Sequence, residues 1–91
     1  MFIKTIWYRL SQPLPRTPCV YGITDASREQ MIYIGEAAFL DESVAELMAS
    51  KSQALQAFAP AFVYVEENPM PDVRDRRKAV LIDEFHPPLN S

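Results

Sequence analysis

The sequence predicts a small α/β or α+β layer containing an antiparallel hairpin, and three observations carry that prediction. Ninety-one residues suffice for one hydrophobic core and leave no room for a second, so residues 1–91 are read as a single domain. Four runs rich in β-branched and aromatic residues recur at residues 2–10, 20–24, 31–34 and 61–67. Two stretches with apolar residues at helical spacing flank the last of these runs, giving the order strand, strand, strand, helix, strand, helix. The 48% hydrophobic and 23% charged composition is that of a folded soluble domain, which excludes a disordered chain.

Each element follows from local chemistry. Residues 2–10 are dense in Phe, Ile, Trp and Tyr and read as a strand. SQPLPRTP then places three prolines in eight residues, which forbids helix and suits an extended lead-in to a core spanning about 14–91. Val20 to Thr24 and Met31 to Ile34 read as two strands joined by a polar linker, a hairpin with a loop longer than two residues. In FLDESVAELMASKSQALQAFAP, Ser43 and Glu46 have capping-box spacing. Val44, Leu47, Met48, Leu55 and Phe58 form one apolar stripe, and Pro60 ends the helix. Lys51 lies on that stripe, where its stem is expected along apolar surface and its ammonium in water. Residues 61–67 form the next strand. A second helix over 71–85, with Val73, Val80, Leu81 and Phe85 on its apolar face, stops at His86 and the Pro87-Pro88 pair.

Charge is unevenly distributed. Residues 1–28 carry four cations and one acid, residues 29–67 carry seven acids and Lys51, and residues 68–91 balance, for a net charge of −3. The chain therefore lacks the overall basic character of a nucleic-acid binder, apart from RDRRK at 74–78. No run approaches the roughly 20 apolar residues of a membrane span, and no cleavage-site pattern follows the N-terminal stretch. A mature cytoplasmic protein with no membrane partner is expected. Cys19 has no partner for an internal disulfide and is expected as a small buried hydrophobe. One histidine, one cysteine and two glycines exclude a Cys/His metal cluster and a glycine-rich phosphate cradle. Chemistry would have to come from tyrosines, carboxylates and basic side chains.

The ordered set PCVYGI, MIYIGEA and LIDEFHPPLN resembles the GIY-YIG nuclease domain over about residues 14–91. The resemblance implies a three-stranded antiparallel sheet with flanking helices, to which residues 2–10 would add an N-terminal strand. Family members cut DNA phosphodiester bonds, typically with one divalent metal. By this resemblance Tyr21 matches the tyrosine that assists the attacking water, and Tyr33 matches the supporting tyrosine of the second motif. Hairpin pairing brings such rings within cross-strand reach. Gly35 matches the glycine that lets the chain turn closely into the first helix, and Asn90 matches a supportive C-terminal asparagine.

The departures are as informative. The family arginine, which stabilises charge on the phosphate, falls on Ser43, and the metal-holding glutamate falls on Lys78, a charge reversal at a cation site. Asp75 lies one turn before Lys78 and is a weak metal candidate, because it sits about 4.5 Å farther along the axis on a shorter side chain. Lys51 lies ~12 Å along the helix from Ser43, too far to replace the arginine, and Arg28 belongs to the hairpin loop. Glu36, Asp41 and Glu42 make the loop after the tyrosine motif acidic, which disfavours nucleic acid. Arg74, Arg76 and Arg77 could meet phosphates, although the expected state is a solvated face paired with Asp72 and Asp75.

The resulting expectation is a GIY-YIG-like domain that has lost its catalytic arginine and glutamate. It would serve as a binding or regulatory module for a protein partner, with no cofactor. Trp7, Tyr8, Phe39 and Phe58 are possible anchors, and the state would be a monomer or small homo-oligomer paired through residues 2–10. The alternative is a divergent endonuclease that hydrolyses DNA with Mg²⁺ or Mn²⁺, using Tyr21, Tyr33 and Asp75.

Overall fold

Four antiparallel strands form the centre of the molecule in a computed structural model that describes residues 1–90. Their chain order is β1 (Ile6–Arg9), β2 (Cys19–Asp25), β3 (Met31–Ala37) and β4 (Pro60–Glu67), and their spatial order is β1-β4-β2-β3. The helices are α1 (Leu40–Ser50), α2 (Ser52–Gln56) and α3 (Pro71–Phe85), followed by a short 3₁₀ turn at Pro88–Asn90. The expected α+β class and the extra N-terminal strand are both present. β1 is shorter than residues 2–10 and pairs with β4, Trp7 standing opposite Tyr64.

Strand alternation divides the core in two. Cys19, Tyr21 and Ile23 of β2 pack with Val63 and Val65 of β4 and with Leu40, Val44, Leu47 and Leu55 of α1 and α2. Val20, Ile34 and Met31 pack with Leu81 of α3 on the other face. β2 is central and buried along nearly its whole length, which explains a continuous apolar run where an edge strand would alternate. Cys19 is fully buried as expected, and burial pushes its thiol up to about 12. Among the described residues no helix is long and apolar enough to cross a membrane.

Three local expectations are corrected. The first helix begins at Leu40, with Phe39 at its N-cap and no side-chain cap, so Ser43 and Glu46 do not form a capping box. Ser43 is already inside the helix, and its hydroxyl bonds to Tyr21 instead. Second, the expected single helix bends at Lys51, whose φ of −123° is not helical; Lys51 is therefore exposed at the break and does not continue the buried stripe. The neighbouring Ser50 hydroxyl donates to the Leu47 carbonyl, a local bond that competes with the regular ladder. The bend still brings Leu55 into the core.

Third, the face of α3 that meets the sheet is not the one expected. Val80 and Phe85 are exposed, while Arg74 is buried to 5% exposure beside Leu81. The physical reason lies in two sheet carboxylates. Glu36 accepts from Arg74 Nε at 2.9 Å, and Glu66 accepts from Arg77 through two nitrogens at 2.8 Å each. These pairs rotate α3 so that Arg74, Arg77 and Leu81 share its inner side, and the Arg77 bonds with the Ile3 amide hold the Glu66 carboxyl below its usual range. The N-terminal segment closes this face: Phe2 packs edge-on to Tyr64 and meets Phe85, and Met1 pairs with Glu84.

Candidate functional site

The hairpin of β2 and β3 sets the two motif tyrosines diagonally across one face of the sheet. Tyr21 stands opposite Gly35 and Ile23 opposite Tyr33, which leaves the two rings 6.3 Å apart at 44°. A register slip after Ile23 marks a bulge at the far end of the hairpin, where residues 26–30 close the loop.

Gly35 is needed for space. No glycine in the chain has a positive φ, and Gly35 lies within β3 and not at the entry to α1, so the expectation that it turns the chain into the helix is corrected. A Cβ there would lie 2.7 Å from Tyr21 Oη, 2.8 Å from its Cζ and 3.0 Å from Tyr33 Cε2. The hydroxyl end of the Tyr21 ring therefore occupies the space that a side chain at position 35 would need.

The first turn of α1 completes the cluster. Ser43 Oγ and Tyr21 Oη are 3.1 Å apart, so the position expected to carry the arginine does stand at the first tyrosine, with a hydroxyl in place of a guanidinium. Tyr21 is 2% exposed, and burial pushes its phenol up to about 12, opposed in part by the Ser43 hydrogen bond. At neutral pH it is a protonated hydroxyl bonded inside the core. Tyr33 remains half-buried at the rim.

Lys78 and Asp75 belong elsewhere. They lie on α3, whose buried residue Leu81 packs with Val20 and Ile34, the face opposite Tyr21. Lys78 pairs with Asp75 at 4.0 Å, and the Asp75 side chain is largely exposed. The donor set gathered around Tyr21 is two phenols and one hydroxyl. It does not fit a divalent cation, which takes carboxylate oxygens.

The basic cluster divides. Arg74 and Arg77 turn inward onto Glu36 and Glu66, contrary to the expected solvated face, while Arg76 with Asp72 and Lys78 with Asp75 stay on the outside as expected. The acidic loop is also less acidic than its sequence, because Glu36 is bonded to Arg74 and Glu42 to Arg16 at 2.8 Å. The spacing of Arg74, Arg77 and Leu81 on one helical side was the sequence signal for the inward pairs.

Asn90 reaches the edge strand β3. Its Oδ1 accepts from the Ile34 amide at 2.7 Å and its Nδ2 donates to the Ile34 carbonyl at 2.8 Å. A feature that sequence reasoning missed lies at the opposite edge: the Arg28 guanidinium stacks over Trp7 at 4.4 Å and Phe62 at 5.1 Å, with Arg9 over Phe62 at 5.7 Å. Arg28 has a left-handed backbone, φ 62°, in the hairpin loop. The chain matches no protein-family model, no curated protein and no solved structure.

Proposed function

We propose that the chain is a GIY-YIG-like domain in which Ser43 and Lys78 replace the catalytic arginine and glutamate, and that it works as a non-catalytic binding or regulatory module for a protein partner. The observation that carries this reading is the closure of Tyr21. A phenol that assists an attacking water has to meet solvent and substrate. This one is 2% exposed, bonded to Ser43, and held protonated by burial. Ser43 supplies no positive charge to a phosphate, and Lys78 opposes a cation and lies on the other face.

The alternative of a divergent metal-dependent endonuclease is favoured by one observation, the neutralisation of Glu36 and Glu42 by Arg74 and Arg16, which lowers the repulsion a polyanion would meet. Incubation of the purified chain with plasmid and single-stranded DNA, in Mg²⁺ or Mn²⁺, separates the two. The binding reading expects no cutting above background. Metal-dependent cutting that disappears in Tyr21→Phe overturns it.

A further inference from the structure

We propose that the open edge of β1 is the docking site for an extended acidic segment of a partner protein, which adds a fifth strand beside Trp7. The two edges of the sheet differ. The β3 edge is closed at Ile34 by the side-chain amide of Asn90, whereas among the described residues β1 has no strand against its outer side.

The hydrogen bonds around β1 identify which backbone groups are open. Leu10 N donates to Ala61, so the even-numbered residues of this segment face β4 and the odd-numbered ones face outward. At Arg9 the outward groups are already taken, because Gln12 Oε1 accepts from Arg9 N at 2.9 Å and Gln12 N donates to Arg9 O at 3.0 Å. Gln12 thus ends the open stretch, and Trp7 presents its outward N–H and C=O. Large apolar groups flank this position on both faces, Ile6 at 51% and Trp7 at 44% exposure. On the sheet face that carries Trp7 and Tyr64 lies a groove of about 390 Å³ bordered by Phe2, Thr5, Arg28, Met31 and Tyr64, with Glu29 and Glu84 on its rim.

Charge selects the occupant. Arg16, Arg74, Arg76, Arg77 and Lys78 each pair with a carboxylate. Lys4, Arg9, Arg28 and Lys51 form no ion pair among the described residues, and the first three of these lie in or beside β1 or stack on it. In a chain of net charge −3, three of the four cations without an ion pair among the described residues gather at the β1 edge. Of the acids on the groove's rim, Glu84 is held by the Met1 amino group, and Glu29 remains exposed. An acidic segment supplies the missing charges as well as a backbone ladder. A nucleic acid supplies the charge without the ladder. A second copy supplies the ladder but brings its own Lys4, Arg9 and Arg28 to the same seam.

The inference rests on the binding-module reading and names its partner class. Its test is selection of octapeptides from a random display library on the full chain, followed by titration of the best synthetic binder against Trp7 emission, the single tryptophan being the reporter. The expected result is peptides enriched in Asp and Glu that shift the emission. They should lose affinity roughly tenfold or more on an Arg9→Glu/Arg28→Glu variant shown to be folded by circular dichroism, and again when alternate peptide nitrogens are methylated. The proposal is overturned by a selection that yields nothing or is no more acidic than the library, by equal affinity for the charge-reversed variant, or by indifference to N-methylation. An emission shift obtained only with oligothymidylate, or only from self-association on concentration, overturns it in favour of those occupants. DNA cutting with intact peptide docking would overturn the non-catalytic reading alone; failed docking without cutting would overturn the edge alone.

Discussion

Asn90 closes the β3 edge by exchanging both hydrogen bonds of a peptide unit with Ile34, at 2.7 and 2.8 Å. The pairing ties the last turn of the chain to a strand 56 residues earlier and gives the outermost strand a partner on its exposed side. Replacing Asn90 with Ala removes both bonds and leaves partly buried groups unpaired. The expected loss is about 1–3 kcal/mol by urea denaturation. Asn90→Asp keeps the acceptor and loses the donor, so it should fall between wild type and Ala. A neutral Asn90→Ala would mean that water replaces the amide there.

Gly35→Ala should destabilise the fold by about 1–3 kcal/mol, because the new Cβ meets the Tyr21 ring end at under 3.0 Å. In a Tyr21→Phe background the hydroxyl contact is gone, while the ring carbon at 2.8 Å and Tyr33 Cε2 at 3.0 Å remain. The two substitutions together should therefore cost less than their sum. A thermodynamic cycle by denaturant unfolding reads this coupling, and strict additivity would count against a steric origin.

The two kinds of arginine on α3 should respond differently. Arg74→Ala leaves the Glu36 carboxylate without its partner at a buried helix–sheet contact, and a loss of about 3 kcal/mol is expected. Arg76 faces solvent opposite Asp72 at 3.8 Å, so Arg76→Ala should leave the unfolding midpoint unchanged within error. Thermal unfolding of the two variants side by side checks both statements.

Stability should decline at alkaline pH. Burial raises Tyr21 from 10.0 and Cys19 from 9.0 to about 12 in the folded state. Above about pH 9 the unfolded chain releases these protons while the folded chain keeps them, so the slope of stability with pH is negative until the folded values are reached. The contribution is complete below pH 9 and is lost by about pH 12. Tyr21→Phe should flatten the part of the decline above pH 10, and absorbance at the phenolate band should show one tyrosine titrating late. Four tyrosines ionising together would contradict the buried placement.

Much of the fold was legible in the sequence, and the reason is local. β-branched and aromatic runs specify β2, β3 and β4 because those side chains suit a pleated, buried surface. Pro71 at the head of α3 and the Pro87-Pro88 pair beyond His86 bound that helix, because proline fixes φ and lacks the donor a helix interior needs. That the two tyrosine runs pair as a hairpin was also legible, while the register that sets Ile23 opposite Tyr33 put Tyr21 and Tyr33 on one face.

Other features depended on contacts between residues far apart in the chain, which no local pattern specifies. Which side of α3 turns inward was decided by Glu36 and Glu66, two carboxylates on separate strands that draw Arg74 and Arg77 beneath the helix and leave Val80 in solvent. The role of Ser43 was decided by the meeting of a helix turn with a strand 22 residues earlier, which made it a partner of Tyr21 and not a cap. Gly35 is required by a ring crossing from β2, a cause invisible in the residues beside it. The sequence by itself determined which segments become strands and helices, because propensity and periodicity act over a few residues. Only the tertiary structure decided which polar groups are paired, which face is buried and which sheet edge stays open, because those depend on desolvation and on partners that folding brings together.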